Sequence, residues 1–223
     1  MYTTIESAQK SRDATHTEAL PFHSHVQQQA ETWQAFGEYA HRFTCTEYAL
    51  LTEAGVVRED DRLELIEGRI VDMSPIGSSH ASYVNRLLAK CVALFHPRAI
   101  VSVQNPVQLN AYSEPQPDLM LLQPRDDFYA EHHPTPDDVL LLIEVADSSL
   151  EYDQHVKIPL YAGSGIQEVW LLNLRDHAVE VYREPSAEGY QEILILRGEQ
   201  EIRAQAFQDA PFTIATLLGK VRT

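Results

Sequence analysis

Two carboxylates stand where burial makes a carboxylate expensive. Glu144 lies inside Val139-Leu140-Leu141-Leu142-Ile143-Glu144-Val145-Ala146, a run otherwise wholly apolar, and an ionised side chain in such a strand has to be matched by something cationic. Asp118 opens a second apolar run, Leu119 to Leu122, directly after Gln116-Pro117, a position where proline is tolerated at the start of a strand. Two adjacent strands that each turn one acid inward would make a divalent-cation site, and oxygen-only ligands favour magnesium, manganese or calcium over zinc. Lys157 follows Glu144 by thirteen positions, on a helix leaving the strand, so its ammonium can return over the strand ends. Tyr161, four residues further on, shares its helical face. A cation that acidifies water, with a lysine to orient that water and steady phosphoryl charge, is the equipment of phosphodiester hydrolysis.

Each of these residues also has a plainer use. Asp118 can cap a loop-to-strand junction, Glu144 can form a structural ion pair with an arginine such as Arg69, and Lys157 can be a solvated helix lysine. A carboxylate pair alone would serve a glycosidase, which has no use for the lysine. His80, four residues before Val84 on the inward face of its helix, reads either as a satisfied core histidine or as a substrate contact. The pairs His23/His25 and His132/His133 have no further ligands at zinc-finger spacing and read as solvated loop. Gly163-Ser164-Gly165 is a turn without the strand-to-helix signature of a nucleophile.

The elements that must carry these residues follow from period and punctuation. Thr44-Cys45-Thr46-Glu47 has capping-box spacing and starts a helix that stops near Gly55. Leu63 to Met73 reads as a largely buried hairpin around Glu67-Gly68, with Glu64 inside a strand. A helix capped by Ser78 or Ser79 presents Val84, Leu87, Leu88, Cys91, Val92 and Phe95 on one face. Strands are expected over 100–103, 107–109, 119–122 and 139–146, with a polar, proline-punctuated surface loop over 124–138. A helix from about Asp153 to Ala162, containing Pro159, ends at Gly163, and 167–174 with 178–182 form a hairpin across Arg175-Asp176-His177. Helices interleaved with strands point to a mixed sheet flanked by helices.

Composition bounds the rest. The 223 residues suit one core, read as a domain over 44–223 behind an arm over 1–43 that shows no sustained apolar period. The polar stretch Met1 to Ala14 and the shortness of the longest apolar run make a cytoplasmic protein without a membrane span the expectation. Cys45 and Cys91, the only cysteines, read as buried thiols. The formal charge of -16 speaks against tight nonspecific binding of nucleic acid. It leaves room for a nuclease, because carboxylates that bind metal are themselves negative and the cation reverses the local field.

The order Leu63-Glu64-Leu65-Ile66-Glu67-Gly68, then His80 at a helix start, Gln116-Pro117-Asp118-Leu119, Ile143-Glu144-Val145, Lys157 to Tyr161 and Glu168-Val169-Trp170-Leu171 resembles the Uma-type restriction endonucleases of the PD-(D/E)XK nuclease superfamily. The resemblance covers residues 43–219. It implies a restriction-endonuclease-like α/β fold and an endonuclease that cuts DNA with Mg2+, or Mn2+ in its place. It also implies that Asp118 and Glu144 are the motif acids, Glu64 a helper acid at the metal, and Lys157 the motif lysine. His80, Gln116 and Tyr161 then contact substrate or support the site. A homodimer is implied as well, since two sites are the simplest way to cut both strands of a duplex. One departure stands out: Ala146 occupies the place two residues after Glu144 where the superfamily carries its lysine, so the lysine has to come from the following helix. Glu67 replaces Glu64 as the third acid if the strand register differs by one. The alternative to an enzyme is a nuclease-fold protein without catalysis that serves as a binding module, a reading the acidic charge favours.

Overall fold

The computed structural model describes residues 37, 39–58 and 60–219. Contacts divide the chain at His41/Arg42; the expected arm up to residue 36, with His23 and His25, lies outside the described residues. From Arg42 onward, α1 (Cys45–Glu53) begins as its sequence dictates. The Thr44 hydroxyl accepts from the Glu47 backbone N–H, and the Glu47 carboxylate accepts from the Thr44 backbone N–H at 2.8 Å. The strands β1 (Leu63–Ile66) and β2 (Arg69–Asp72) form an antiparallel hairpin of their own. Its turn puts Glu67 and Gly68 both at positive φ, 50° and 79°, and a Cβ on Gly68 would sit 2.7 Å from Cβ of Arg42. Glycine is therefore required there on both counts. Leu65 packs with Cys45, Tyr48 and Val57 of the α1 region, which anchors the hairpin and so fixes where Glu64 points.

The central sheet has six strands in the order β3 (Ile100–Val103), β4 (Leu119–Leu122), β5 (Val139–Ala146), β6 (Glu168–Asn173), β7 (Ala178–Ser186) and β8 (Gly189–Leu196). Every pairing is antiparallel except β5 with β6. That parallel pair needs a crossover. The crossover is the helical segment α3 (Leu150–Tyr152), a π-helical turn Asp153–Lys157 and α4 (Ile158–Gly163). One face of the sheet packs on α2 (Ser78–Phe95) and on the C-terminal elements β9 (Glu201–Ile202), β10 (Phe212–Thr213) and α5 (Ile214–Leu218). There Phe95, Phe207, Phe212 and Trp170 form an aromatic cluster with centroids 4.7–5.8 Å apart. The other face packs on the crossover through Met120, Leu142, Ile158, Tyr161 and Leu171.

Several expectations are corrected here. Residues 107–109 are not a strand, although Val107 and Leu109 are buried. Their backbone N–H groups go to three separate loop carbonyls, those of Pro115, Pro134 and Ser113, instead of to one ladder. The helix expected from a serine cap starts one residue earlier: Gly77 is its N-cap and no side chain caps it. Val92 is 44% exposed and Leu88 is only half-buried, so the stripe facing the sheet is the narrower set Val84, Leu87, Cys91 and Phe95. The helix expected from Asp153 begins at Leu150 and contains a π turn. Pro159 has no N–H to offer an α-helical bond, and the preceding Ile158 N–H reaches back five residues to the Asp153 carbonyl.

Both cysteines are buried free thiols, as expected. Burial pushes the Cys91 thiol up to about 12 and, helped by nearby Glu114, raises that of Cys45. Neither should therefore react with an aromatic disulfide reagent at pH 8 in the native protein, and both should react once denaturant is added. Thiol titration with and without denaturant checks this; a fast native reaction at either position would contradict the packing described.

Candidate active site

Four segments distant in sequence meet beyond one end of the sheet. The β1 strand supplies Glu64, β4 is entered through Gln116 and Asp118, β5 supplies Glu144, and the π turn supplies Lys157. All four ionisable side chains are buried, Glu64 and Glu144 to 2% exposure, Lys157 to 5% and Asp118 to 9%. Pairing of β4 with β5 sets Leu119 opposite Ile143, which brings the two acids side by side. The Asp118 N–H donates to Glu144 Oε2 at 3.3 Å, and the Val145 N–H donates to Asp118 Oδ2 at 2.9 Å. In both bonds a backbone N–H holds a carboxylate, so the position of each acid is tied to the main chain of the neighbouring segment.

Lys157 lies between two acids, with Nζ 3.3 Å from Glu64 Oε2 and 3.3 Å from Glu144 Oε1. Tyr161, on the same helical face, donates its hydroxyl to Glu144 Oε1 at 2.6 Å. The partner of Glu144 is thus Lys157 and not Arg69, and Lys157 is not a solvated lysine. Glu64 also accepts from the Tyr152 hydroxyl and from the Gln116 N–H, each at 3.3 Å, while the Gln116 side chain donates to the Leu63 carbonyl. Glu67 is exposed in the hairpin turn, where its N–H donates to Ser113; the register turns Glu64 inward. His80, at the start of α2, has Nε2 2.9 Å from Asp118 Oδ2. Its Nδ1 is buried with no hydrogen-bond partner, so it is not a fully satisfied core histidine.

Electrostatics follow from this crowding. Burial alone would lower the Lys157 ammonium, but Glu144, Glu64, Asp153 and Asp118 together reverse that and hold it above its ordinary value. Burial raises the Glu144 carboxyl, against the pull of Lys157. The hydrogen bond to Asp118 raises the His80 imidazole against the opposite effect of burial. Burial likewise raises Asp153, which Lys157 and a 2.6 Å bond from the Ser149 hydroxyl oppose.

The sequence reading brought together by the fold is Glu64, Asp118, Glu144, Lys157, Tyr161, His80 and Gln116. It passed over Asp153, Tyr152 and Gln104, whose amide donates to Asp118 Oδ1 at 3.3 Å. Asp153 carried a signal, an acid four residues before Lys157 on one helix face; Gln104 and Tyr152 carried none. All of these except Tyr161 and Gln104 border an open cavity of about 430 Å³ whose wall also includes Arg62, Asp72 and Asp147. His132 and His133 do not line it. Among the described residues no three His, Cys, Asp or Glu side chains form a ready-made cation cage. Instead, Glu64 and Glu144 flank the Lys157 ammonium and Asp118 sits beside Glu144.

Comparison with known proteins gives the fold and the family. A crystal structure of a putative nuclease from Anabaena variabilis, belonging to a family of unknown function, superposes with a TM-score of 0.59 at 17% identity, covering 75% of this chain and 96% of that one. At that identity the likeness shows a shared fold. A search of curated proteins finds no match. The family model described as Uma2, putative restriction endonuclease, matches residues 45–215. That span takes in every element that borders the cavity, and the chain belongs to the Uma2 family of putative restriction endonucleases.

Proposed function

We propose that the protein is a divalent-cation-dependent endonuclease that hydrolyses phosphodiester bonds in DNA. The observation that carries this reading is the convergence of Glu64 and Glu144 on the ammonium of Lys157, with Asp118 bonded to Glu144 through its N–H, beside an open cavity. The donor set suits the cation: Asp118 and Glu144 offer carboxylate oxygens only, and acids outnumber fixed cations around the cavity. Magnesium is usually held by one or two carboxylates and keeps several waters, so an oxygen-only pair such as Asp118 and Glu144 fits Mg2+, or Mn2+, better than zinc. When bound, the cation would lower the pKa of water and offset charge on the phosphodiester.

The side chains divide the remaining work. The Tyr161 hydroxyl and the Asp118 N–H hold the two oxygens of Glu144, and the Val145 N–H with His80 holds Asp118, so both acids are fixed before a substrate arrives. Lys157, kept as an ammonium by its carboxylate neighbours, can donate to a phosphoryl oxygen and orient the attacking water. Glu64, 3.3 Å from Nζ, is the second counter-ion of Lys157 at the cavity wall. The test is incubation of DNA with the protein and Mg2+ or Mn2+, beside an Asp118→Ala variant. Cleavage should require the metal and should fall by at least about a hundredfold in the variant; cleavage that persists there refutes the site.

The net charge of -16 favours one other reading, a nuclease-fold protein that binds a partner without catalysis. Titration calorimetry separates the two. Heat of Mn2+ binding that disappears in a Glu144→Ala variant supports the enzyme, and its absence from the native protein supports the binding module.

A further inference from the structure

Six carboxylates line the cavity, those of Glu64, Asp72, Asp118, Glu144, Asp147 and Asp153, against two fixed cations, Lys157 and Arg62. Lys157 is already committed to Glu64 and Glu144. Arg62 is exposed and makes no ion pair among the described residues. Elsewhere in this acidic chain arginines find acids: Arg58, Arg98, Arg125, Arg183 and Arg203 each hold a carboxylate at 2.6–3.1 Å. The hairpin aims Arg62 at the cavity. The Met73 N–H donates to the Arg62 carbonyl at 2.8 Å, which carries the β1–β2 pairing one residue further. Leu63 and Leu65 turn into the small cluster around Cys45 and Tyr48, so strand alternation sends Arg62 and Glu64 to the opposite side, where both line the cavity. Two residues along a strand span about 7 Å, which sets Arg62 that far outward from the buried Glu64.

We propose that Arg62 binds a backbone phosphate of duplex DNA next to the one that is cut, a role that rests on the nuclease reading of the cavity. A guanidinium presents a planar fork of donors that matches two phosphate oxygens. A polyanion approaching a wall of acids gains most from the cation that has no carboxylate to give up, and on this wall that is Arg62. Lys157, buried beside Glu144, serves the scissile phosphate; Arg62, exposed and further out on the same face, meets its neighbour. The neighbouring phosphate does not change charge during the reaction. Its contact with Arg62 is therefore as strong in the bound substrate as in the transition state, and losing it raises KM without lowering kcat.

Two measurements on the full chain test this: steady-state cleavage of a short duplex with Mg2+, and fluorescence anisotropy of the same labelled duplex with Ca2+ in place of Mg2+, across a range of salt. In Arg62→Ala, KM should rise about tenfold with kcat nearly unchanged, and the slope of log affinity against log salt should fall by about one unit. Arg62→Lys should restore the slope but only part of the affinity, because an ammonium lacks the fork. Arg69→Ala is the control: Arg69 is exposed on β2 of the same hairpin and does not line the cavity, so its loss removes the same charge and should move neither quantity. Melting temperatures confirm that all three variants fold. Equal effects of Arg62→Ala and Arg69→Ala would reduce the matter to net charge and overturn the subsite, as would native binding by Arg62→Ala or a loss confined to kcat. A duplex that binds through Arg62 and is not cut would sink the nuclease reading and leave the subsite standing, whereas a native protein that binds no duplex overturns both.

Discussion

Replacing Lys157 with methionine should destabilise the protein by about 3–5 kcal/mol at neutral pH, the cost of leaving buried carboxylates without their cation. The ammonium is 3.3 Å from both Glu64 and Glu144, and all three side chains are almost fully buried. Methionine fills the space of the lysine stem but leaves two acids facing each other across a site with little solvent. For a chain of this size the melting temperature should fall by about 6–20 °C. The loss has a defined pH dependence. Burial already raises the Glu144 carboxyl in the native protein, and Lys157 is the main influence opposing it; without the lysine, the folded-state value rises further. A group whose folded pKa lies above its unfolded value stabilises the fold below the unfolded value, about 4.3 for glutamate, and that contribution is lost as pH rises through the folded value. Glu144 is protonated in both folded proteins well below its native value of about 8, so the part of the gap between native protein and variant that it causes should be constant there and widen only as pH rises through that value. Thermal melts of both proteins from mildly acidic pH to well above the native Glu144 value measure it, and a gap that does not grow on the alkaline side would mean that the lysine does not hold Glu144. A Lys157→Met/Glu144→Gln double variant should recover part of the loss, because the neutral amide no longer needs a counter-ion.

The pairing behind that prediction was legible only in part from the sequence. Glu144 announced itself because it is the one charge in an eight-residue apolar strand, and burial of that strand on both faces followed from its composition. Asp118 was readable from the proline before it and the apolar run after it. The Glu67-Gly68 turn fixed the hairpin, but the choice between Glu64 and Glu67 rested on a one-residue register that periodicity alone does not set. That choice is made by Leu65, which must face the small cluster around Cys45 and Tyr48, leaving Glu64 on the opposite side. The partner of Glu144 was harder to read, because Lys157 reaches it from a π turn and helical periodicity assumes regular α geometry. The second half of β7, all of β8 and the β9–β10 pair were not anticipated. Two-residue strands carry no period, and the apolar residues of β8 face outward as well as inward, which obscures the alternation that marks a half-buried strand. Val107 and Leu109 failed in the opposite way: they have the composition of a strand and the burial of one, yet their amides are satisfied by loop carbonyls.

Glu144→Gln should separate chemistry from stability. Glutamine can still accept the Tyr161 hydroxyl bond through its carbonyl oxygen, and Lys157 keeps Glu64 as a close counter-ion. The substitution also removes an acid whose ionised form is disfavoured by burial. Those effects offset the lost attraction to Lys157, so stability should change by only about 1 kcal/mol in either direction. Catalysis has no such compensation, because a neutral amide is a weak ligand for a hard dication and contributes no negative charge to hold it. Metal-dependent cleavage of DNA should fall by at least about a thousandfold, equivalent to about 4 kcal/mol of lost transition-state stabilisation. Single-turnover cleavage assays at saturating Mg2+, run beside thermal melts of the same preparations, give both quantities. A variant that folds like the native protein and still cuts at a comparable rate would remove Glu144 from the chemistry and leave its pairing with Lys157 as purely structural. A variant that loses cleavage only because it fails to fold would be recognised by its melt, and Glu144→Asp, which restores the charge on a shorter arm, would then decide the matter through recovery of metal binding in calorimetry.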